Sequence, residues 1–494
     1  VAVQPLPGLH GGLVGAGPAE PGSDDLTVFG HRPNSQTNRT IIARLQLDAR
    51  SCAKRAGMRH SQAVIKVTFV GAGSIEFTRN VVTDLCGYPE FHGRLHLSLY
   101  DIKPERLVHA ERLARRIAAQ TGCGAEVTAT ADRRAALAEA DYVINEVQVG
   151  GYAATRADFD IPARYGVRQT IGDTLGIGGI FRGLRTIPVV VALAQDMQQV
   201  CPDAYLLSYS NPMAMLPWAV YAGTGLRRVY GLCHSVRDTQ SFLTSLVGAH
   251  PDRVRFLTAG FNHQAFVLRF EQDGESLYPR LAEIVAGSAQ LQRRVRVEIF
   301  RRFGYFPTES SEHSAEYVPW FMHHDSQVQR FQIFVGDYLA RSEENLRELE
   351  SLQRDLESDA PLDLTPTSEL ASLFIHSLQT GQERELHVNI RNGGLISSLP
   401  AECCVEVPCL VGAGGPKPVA VGELPPQLAA LNRTFLNVVE LTVKAALEES
   451  RDHVYQAALL DPNTAATLTT AEIVAMCDDL FEAHRDLLPT AFNR

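Results

Sequence analysis

Apolar residues along this chain fall into two regimes, short unbroken runs and longer stretches in which they return every three or four positions. Residues 64–70 form the first run and predict a strand, which leads straight into Gly71, Ala72, Gly73 and Ser74 before helical spacing takes over at 77–85. The succession repeats: strand 95–100 and helix 104–120, strand 125–130 and helix 133–139, then strand 142–147. A helix over 185–200 is followed by strands at 204–210 and 229–232, a helix around 238–247 and a strand at 254–258. This rhythm predicts an α/β fold with a Rossmann-like, doubly wound parallel sheet over residues 61–262. From about residue 265 the alternation weakens into helical runs at 282–303, 338–359 and 425–447, with strand-like pieces at 388–396 and 404–407. A second α+β C-terminal domain, 263–494, is therefore expected to cover the crevice of the first and to carry oligomer contacts. Residues 1–60, rich in Gly, Pro and polar side chains without periodicity, read as a disordered extension, and Met58 reads as a natural start.

The glycine turn after the first strand gives that sheet a chemical meaning. A strand that ends in Gly-x-Gly and opens a helix presents backbone N–H groups to a dinucleotide pyrophosphate. Asp101, at the end of the second strand, can accept from both ribose hydroxyls and would repel a 2′-phosphate, which favours NAD over NADP. The pattern is incomplete, because Glu76 stands where a third glycine is usual. Gly71, Gly73, Ser74, Asp101 and Asn145 are the candidate cofactor contacts.

Composition narrows the class. With 494 residues, 45% of them hydrophobic, the chain can bury two substantial cores. Its 46 basic and 56 acidic residues leave a net charge of −10 with no basic block, which argues against a nucleic-acid surface or a polybasic membrane patch. No unbroken apolar run approaches the ~18 residues of a membrane span. The nine cysteines are scattered rather than framed, as in a protein of a reducing compartment, and a cytoplasmic location is expected.

In doubly wound sheets ligands bind beyond the carboxyl ends of the strands, so polar residues there carry most of the functional weight. Asn145, Asn211, Cys233 with His234, and Asn262 with His263 all fall at such ends. A thiolate and a neutral imidazole, here Cys233 and His263, can hold a divalent cation at a site that remains open to substrate oxygens. Asp173, in a glycine-rich loop with Gly176, Gly178 and Gly179, is placed to bind sugar hydroxyls, with Arg182 beside it. Trp218 and Trp320 are candidate stacking faces for a sugar, although an isolated tryptophan more often belongs to a core or subunit interface; the adjacent Cys403 and Cys404 read as inert.

Several motifs occur in an order that points to one family: Gly-Ala-Gly-Ser (71–74), Asn-Pro-Met-Ala (211–214), Cys-His-Ser-Val (233–236) and Gly-Phe-Asn-His (260–263). With Asp-Thr-Leu-Gly (173–176), Arg-Thr-Ile-Pro (185–188), Thr-Glu-Ser-Ser-Glu-His (308–313) and Asn-Ile-Arg-Asn-Gly-Gly-Leu-Ile (389–396), the chain resembles glycoside hydrolase family 4, in its α-galactosidase branch, from about residue 64 onward. Members of this family depend on NAD instead of a pair of carboxylates. The resemblance implies NAD-mediated oxidation at sugar carbon 3, loss of the carbon 2 proton, elimination of the aglycone, addition of water and return of the hydride, with a divalent metal such as Mn2+ polarising the oxygens. It implies Cys233 and His263 as metal ligands, Asn211 and Asn262 near sugar and ion, His234 as donor of a proton to the leaving oxygen, and Tyr317 as the base. Glu312, His313 and Glu316 are alternatives for the base. The implied substrate is a small α-galactoside of the melibiose or raffinose type, and the implied assembly a homodimer or homotetramer. Relatives acting on α-glucosides or α-uronides remain open, as do a 2-hydroxy acid dehydrogenase and a noncatalytic NAD sensor.

Overall fold

The computed structural model of the protein describes residues 63–358 and 360–493; the expected N-terminal extension and the Met58 start lie outside the described residues. Six parallel strands come first: β1 (Ile65–Val70), β2 (Leu95–Tyr100), β3 (Glu126–Thr130), β4 (Tyr142–Asn145), β5 (Tyr205–Ser208) and β6 (Val229–Gly231). They lie side by side in the order β3-β2-β1-β4-β5-β6, the doubly wound arrangement in which the chain reverses direction at β1 and opens a crevice between β1 and β4.

Period-two alternation sends neighbouring residues of these strands to opposite faces. Ile65, Val67 and Phe69 join the core beneath the helices Ile75–Gly87, Pro104–Thr121 and Leu370–Thr380. Val70, Val143 and Leu206 join the core beneath Gly176–Val200, Leu216–Gly223 and Pro426–Glu448. Polar residues inside the sheet are satisfied locally, since Thr68 and Ser98 both donate to the Ala136 carbonyl at 3.0 and 3.1 Å.

Beyond β6 the sheet continues in antiparallel fashion. The remaining strands are β7 (Val254–Phe261), β8 (Gln264–Gln272), β9 (Glu275–Ser276), β10 (Phe306–Pro307), β11 (Arg384–Arg391), β12 (Cys404–Gly412) and β13 (Gly415–Pro418). The 13-stranded sheet runs β6-β11-β12-β7-β8-β10, so the strand expected at 254–258 is not a further parallel member. A two-residue turn at Asn262 and His263 folds it back onto β8, whereas a parallel partner would need a long crossover. The strand-like pieces at 388–396 and 404–407 appear as β11 and β12, inserted between β6 and β7. The described residues form one compact unit, and the boundary expected after residue 262 falls within that turn.

The helix Gly176–Val200 is, by length and composition, apolar enough to cross a membrane, but 78% of its most apolar stretch is buried inside the fold. Its composition serves the core. At its centre Arg185 is 1% exposed, held by Asp158 at 3.0 Å, and His484 from the C-terminal segment meets the same carboxylate at 2.8 Å.

Candidate active site

The carboxyl ends of β1, β4, β5 and β6 share one edge of the sheet, and the turn between β7 and β8 joins them from the antiparallel side. Cys233 lies just past β6, and its Sγ is 3.3 Å from Nε2 of His263 in that turn. The same nitrogen is 3.4 Å from Oε2 of Glu309. Donor atoms of Cys233, His263 and Glu309 all lie within 4.8 Å of one another. Such spacings suit three donors around one ion, where bonds of about 2.0–2.3 Å place ligands roughly 3–4 Å apart. His263 (φ 65) and Glu309 (φ 73) both occupy the left-handed region, a strained conformation for non-glycine residues that concentrates at functional sites.

The second nitrogen of His263 shows how the ring is aimed. Nδ1 lies 2.9 Å from Oγ1 of Thr174, and that hydroxyl donates to Oδ1 of Asp173 at 2.8 Å. A threonine hydroxyl has one hydrogen, so having given it to Asp173 it can only accept from His263. The ring therefore keeps a proton on Nδ1 and turns Nε2 toward Cys233 and Glu309, so that loss of the Nε2 proton gives the tautomer that a cation requires. Electrostatics agree. Burial works against charge on His263, but the Cys233 sulfur and the Glu309 carboxylate outweigh it and raise the ring to about 10. Burial also pushes Glu309 up, yet the imidazoles of His313 and His263 hold it at about 2. The cluster is built to retain a positive charge, and a divalent ion in place of the Nε2 proton fits it. A second grouping, Asp173, His263 and His313, has its donors equally close, but there the His263 Nδ1 is already engaged by Thr174.

Around this cluster lie the predicted sugar-binding residues. Asn211 donates to Oδ2 of Asp173 at 2.8 Å, and its own Oδ1 is buried without a partner among the described residues. Arg182 donates to the Asn211 carbonyl at 3.3 Å and stacks over Tyr338. Asn262 is fully buried; it donates to Glu406 at 3.3 Å, and its Oδ1 likewise has no partner among the described residues. Glu316 is not free for catalysis, because its carboxylate receives the N–H groups of Thr170, Ile171 and Gly172 and so shapes the loop that carries Asp173. Tyr317 shares a small cavity with His263 and Ser314. Its phenol is held well above the ordinary range by burial first and then by Glu316, against a smaller opposing effect of Thr174, and its hydroxyl makes no hydrogen bond of good geometry among the described residues. His234 meets Glu369 at 2.7 Å.

The glycine turn differs in detail from the expectation. Gly71 and Ala72 donate to the Tyr100 carbonyl, Ser74 to the Gly71 carbonyl, and Gly73 to Oδ2 of Asp101 at 2.8 Å. The N–H groups without an acceptor among the described residues are those of Ile75, Glu76 and Phe77, the first turn of the following helix. The glycines therefore supply shape and the helix end supplies donors. A Cβ on Gly73 would sit 2.7 Å from both Asp101 Oδ2 and Arg106 Cβ. Asp101 braces the turn, its other oxygen accepting from Lys103 N–H at 2.8 Å. Asn145 donates to Ser208 and Ser210 and keeps a buried Oδ1, without a partner among the described residues, at the carboxyl end of β4.

Three residues of the site were not singled out from sequence: Glu309, Thr174 and Glu369. The first two lie inside motifs already noted, and only their side-chain direction was hidden. Trp218 is core, 7% exposed. Trp320 stacks on Phe303 beside a surface pocket of about 290 Å3 that contains none of the candidate site residues. The described cysteines are all unpaired, Cys403 and Cys404 being buried.

The model of the family described as family 4 glycosyl hydrolase matches residues 66–249, and that of its C-terminal domain matches residues 258–464. An α-galactosidase of Bacillus subtilis (strain 168) is 41% identical over 429 residues, covering 86% of this chain and 99% of its own. An α-galactosidase of Rhizobium meliloti (strain 1021) is 34% identical over 443 residues, 86% of this chain and 90% of its own. The fold is similar to that of the 6-phospho-β-glucosidase of Thermotoga maritima solved with manganese, NAD+ and glucose 6-phosphate, with a TM-score of 0.72 and 20% identity over 86% of this chain and 99% of the other.

Proposed function

The chain belongs to glycosyl hydrolase family 4, and we propose that it is an α-galactosidase that cleaves small terminal α-galactosides with NAD and a divalent cation such as Mn2+. The observation that carries this reading is the Cys233, His263 and Glu309 cluster, aimed by Thr174 and Asp173 and lying on the sheet edge that also bears the glycine turn. When bound, the dinucleotide supplies reversible oxidation at sugar carbon 3 and the cation supplies Lewis acidity to the oxygens on carbons 2 and 3.

The protein's own groups have separable tasks. Gly71 and Gly73 let the backbone approach the pyrophosphate, with Ser74 and the N–H groups of Ile75, Glu76 and Phe77 to receive it. Asp101 serves the ribose and the unpaired Oδ1 of Asn145 the reactive end of the cofactor. Asp173, Asn211 and Asn262 orient sugar hydroxyls, the unpaired buried acceptors of both asparagines supporting this role. His234 gives a proton to the leaving oxygen. Tyr317 takes the proton from carbon 2, which requires that the cation's charge beside His263 lower a phenol that burial holds neutral. Residues 61–262 hold the dinucleotide and 263–494 complete the sugar and cation site and the subunit contacts of a homodimer or homotetramer. The unpaired cysteines support a cytoplasmic location.

Protein stripped of NAD and metal should be inactive on an aryl α-galactoside and recover only when both are restored under reducing conditions, without net NADH accumulation. Full activity of the stripped protein overturns the reading. Parallel assays on α-glucosides and α-galacturonides fix the sugar preference.

A further inference from the structure

His234 is held by a segment 135 residues further along the chain. Its Nε2 lies 2.7 Å from Oε2 of Glu369, which also receives the Tyr209 hydroxyl at 3.3 Å, while Asn80 reaches Oε1 at 3.4 Å. Phe77 lies parallel to the imidazole, 4° between planes. Glu369 is 5% exposed, whereas the His234 side chain is 26% exposed, so the carboxylate sits inside and the ring opens outward.

The backbone beneath Glu369 is clamped with unusual thoroughness. Asp84, 5% exposed, accepts the N–H groups of Thr367 at 2.8 Å and Glu369 at 2.6 Å, together with the hydroxyls of Thr367 and Ser372, each at 3.1 Å. Ser368 is left-handed at φ 56, and Arg237 grips its carbonyl at 2.7 Å. Asp84 and Asn80 belong to the helix Ile75–Gly87 that opens at the glycine turn, so one rigid element carries both that turn and the support of His234. A surface ion pair worth ~0–1 kcal/mol would need none of this framework.

The geometry points to Glu369 as a positioning residue that keeps one proton on His234 Nε2, so that Nδ1 is the nitrogen which, when the ring carries a second proton, delivers it to the departing sugar oxygen and leaves a neutral Nε2–H ring. The inference rests on His234 as the proton donor of the proposed reaction. An ionised carboxylate can only accept, so the hydrogen between the pair belongs to the ring. Burial pushes the Glu369 carboxyl up, but the His234 contact outweighs it and keeps the group below its ordinary range. A buried carboxylate fixing one face of a histidine is how proton transfer from the other nitrogen is aimed in hydrolytic triads.

The test compares kcat/KM of the enzyme loaded with NAD and Mn2+ on melibiose, whose leaving sugar must be protonated, and on 4-nitrophenyl α-galactoside, whose leaving group departs unaided. Glu369→Gln should lose about 10- to 100-fold on melibiose and stay within about threefold on the nitrophenyl substrate. Glu369→Asp should recover part of the melibiose loss. Equal losses on both substrates, or none on either, overturn the proposal. If Glu369→Gln no longer binds Mn2+ and NAD as the wild type does, the same comparison is made with Glu369→Asp. Failure of the wild type on both galactosides overturns the galactosidase reading instead. Glu369 is then decided by the 15N shifts of the His234 ring, assigned with His234→Gln: an Nε2–H ring in the wild type that becomes a tautomer mixture in Glu369→Gln supports the proposal, and an Nδ1–H ring in the wild type overturns it.

Discussion

Replacing Thr174 with valine keeps the shape of the side chain and removes the hydroxyl on which the orientation of His263 depends. Thr174 is 1% exposed and His263 4%, so no solvent takes over. Two hydrogen bonds disappear, one of 2.9 Å to His263 Nδ1 and one of 2.8 Å to Asp173. The Nδ1–H is left buried without an acceptor, at a cost of about 1–3 kcal/mol in the state with the Nε2 lone pair free. The ring can avoid that cost by moving its proton to Nε2, where it competes with a metal. Cation affinity should therefore fall about 10- to 100-fold, or roughly 1.4–2.7 kcal/mol, the range seen when partners of metal-binding histidines are removed. The assay is Mn2+ binding followed by the electron paramagnetic resonance signal of the free ion, with NAD affinity as control. Thr174→Ser, which keeps the hydroxyl, should bind almost as the wild type does. Unchanged Mn2+ affinity in Thr174→Val refutes the relay from Asp173 through Thr174 to His263.

Cys233→Ser should weaken Mn2+ binding while leaving NAD affinity unaltered; equal affinity for the ion removes the sulfur from the site. Gly73→Ala places a Cβ 2.7 Å from Asp101 Oδ2 and Arg106 Cβ, and should weaken NAD binding by about tenfold or more, an overpacking cost of ~1–3 kcal/mol. Isothermal titration that finds unchanged affinity shows that the turn yields without consequence. Burial lifts the fully enclosed Glu406 from the ordinary 4.5 to about 7, against the smaller opposing effects of His263 and Asn262. Because the folded value is the higher one, its contribution to stability is complete below about pH 4.5 and is lost as pH rises to about 7. Glu406→Gln copies the protonated form, so without added cation its free energy of unfolding in urea should improve relative to wild type between pH 5 and pH 8, by up to the order of 3 kcal/mol. A difference that does not vary with pH contradicts the assignment.

The parallel half of the fold was legible because its signals are local. Apolar runs such as residues 65–70 and 95–100 alternate with amphipathic helices, and the glycines at 71 and 73 mark the turn without reference to distant residues. The antiparallel half was not, because β11 meets β6 at the single pair Asn389 and Gly231, far apart in sequence, and no periodicity encodes that choice. The site shows the same division. Cys233 and His263 could be read from strand ends, whereas Glu309 contributes through a left-handed backbone and Glu369 through a clamp on Asp84, both tertiary effects. The free donors of the glycine turn were misplaced by a few residues for a related reason: Asp101 and Tyr100 fold back onto the turn and take up its N–H groups.

The insertion of β11 and β12 between β6 and β7 means that this chain cannot be shortened at the seam between its two matched regions without exposing raw sheet. A fragment ending near residue 250 would keep all six parallel strands yet bare the outer edge of β6, a template for pairing with other copies. The remaining piece would keep the His263 turn and lose the strand that carries Cys233. Fragment complementation or domain grafting in this scaffold would therefore have to move β11 and β12 together with the parallel strands.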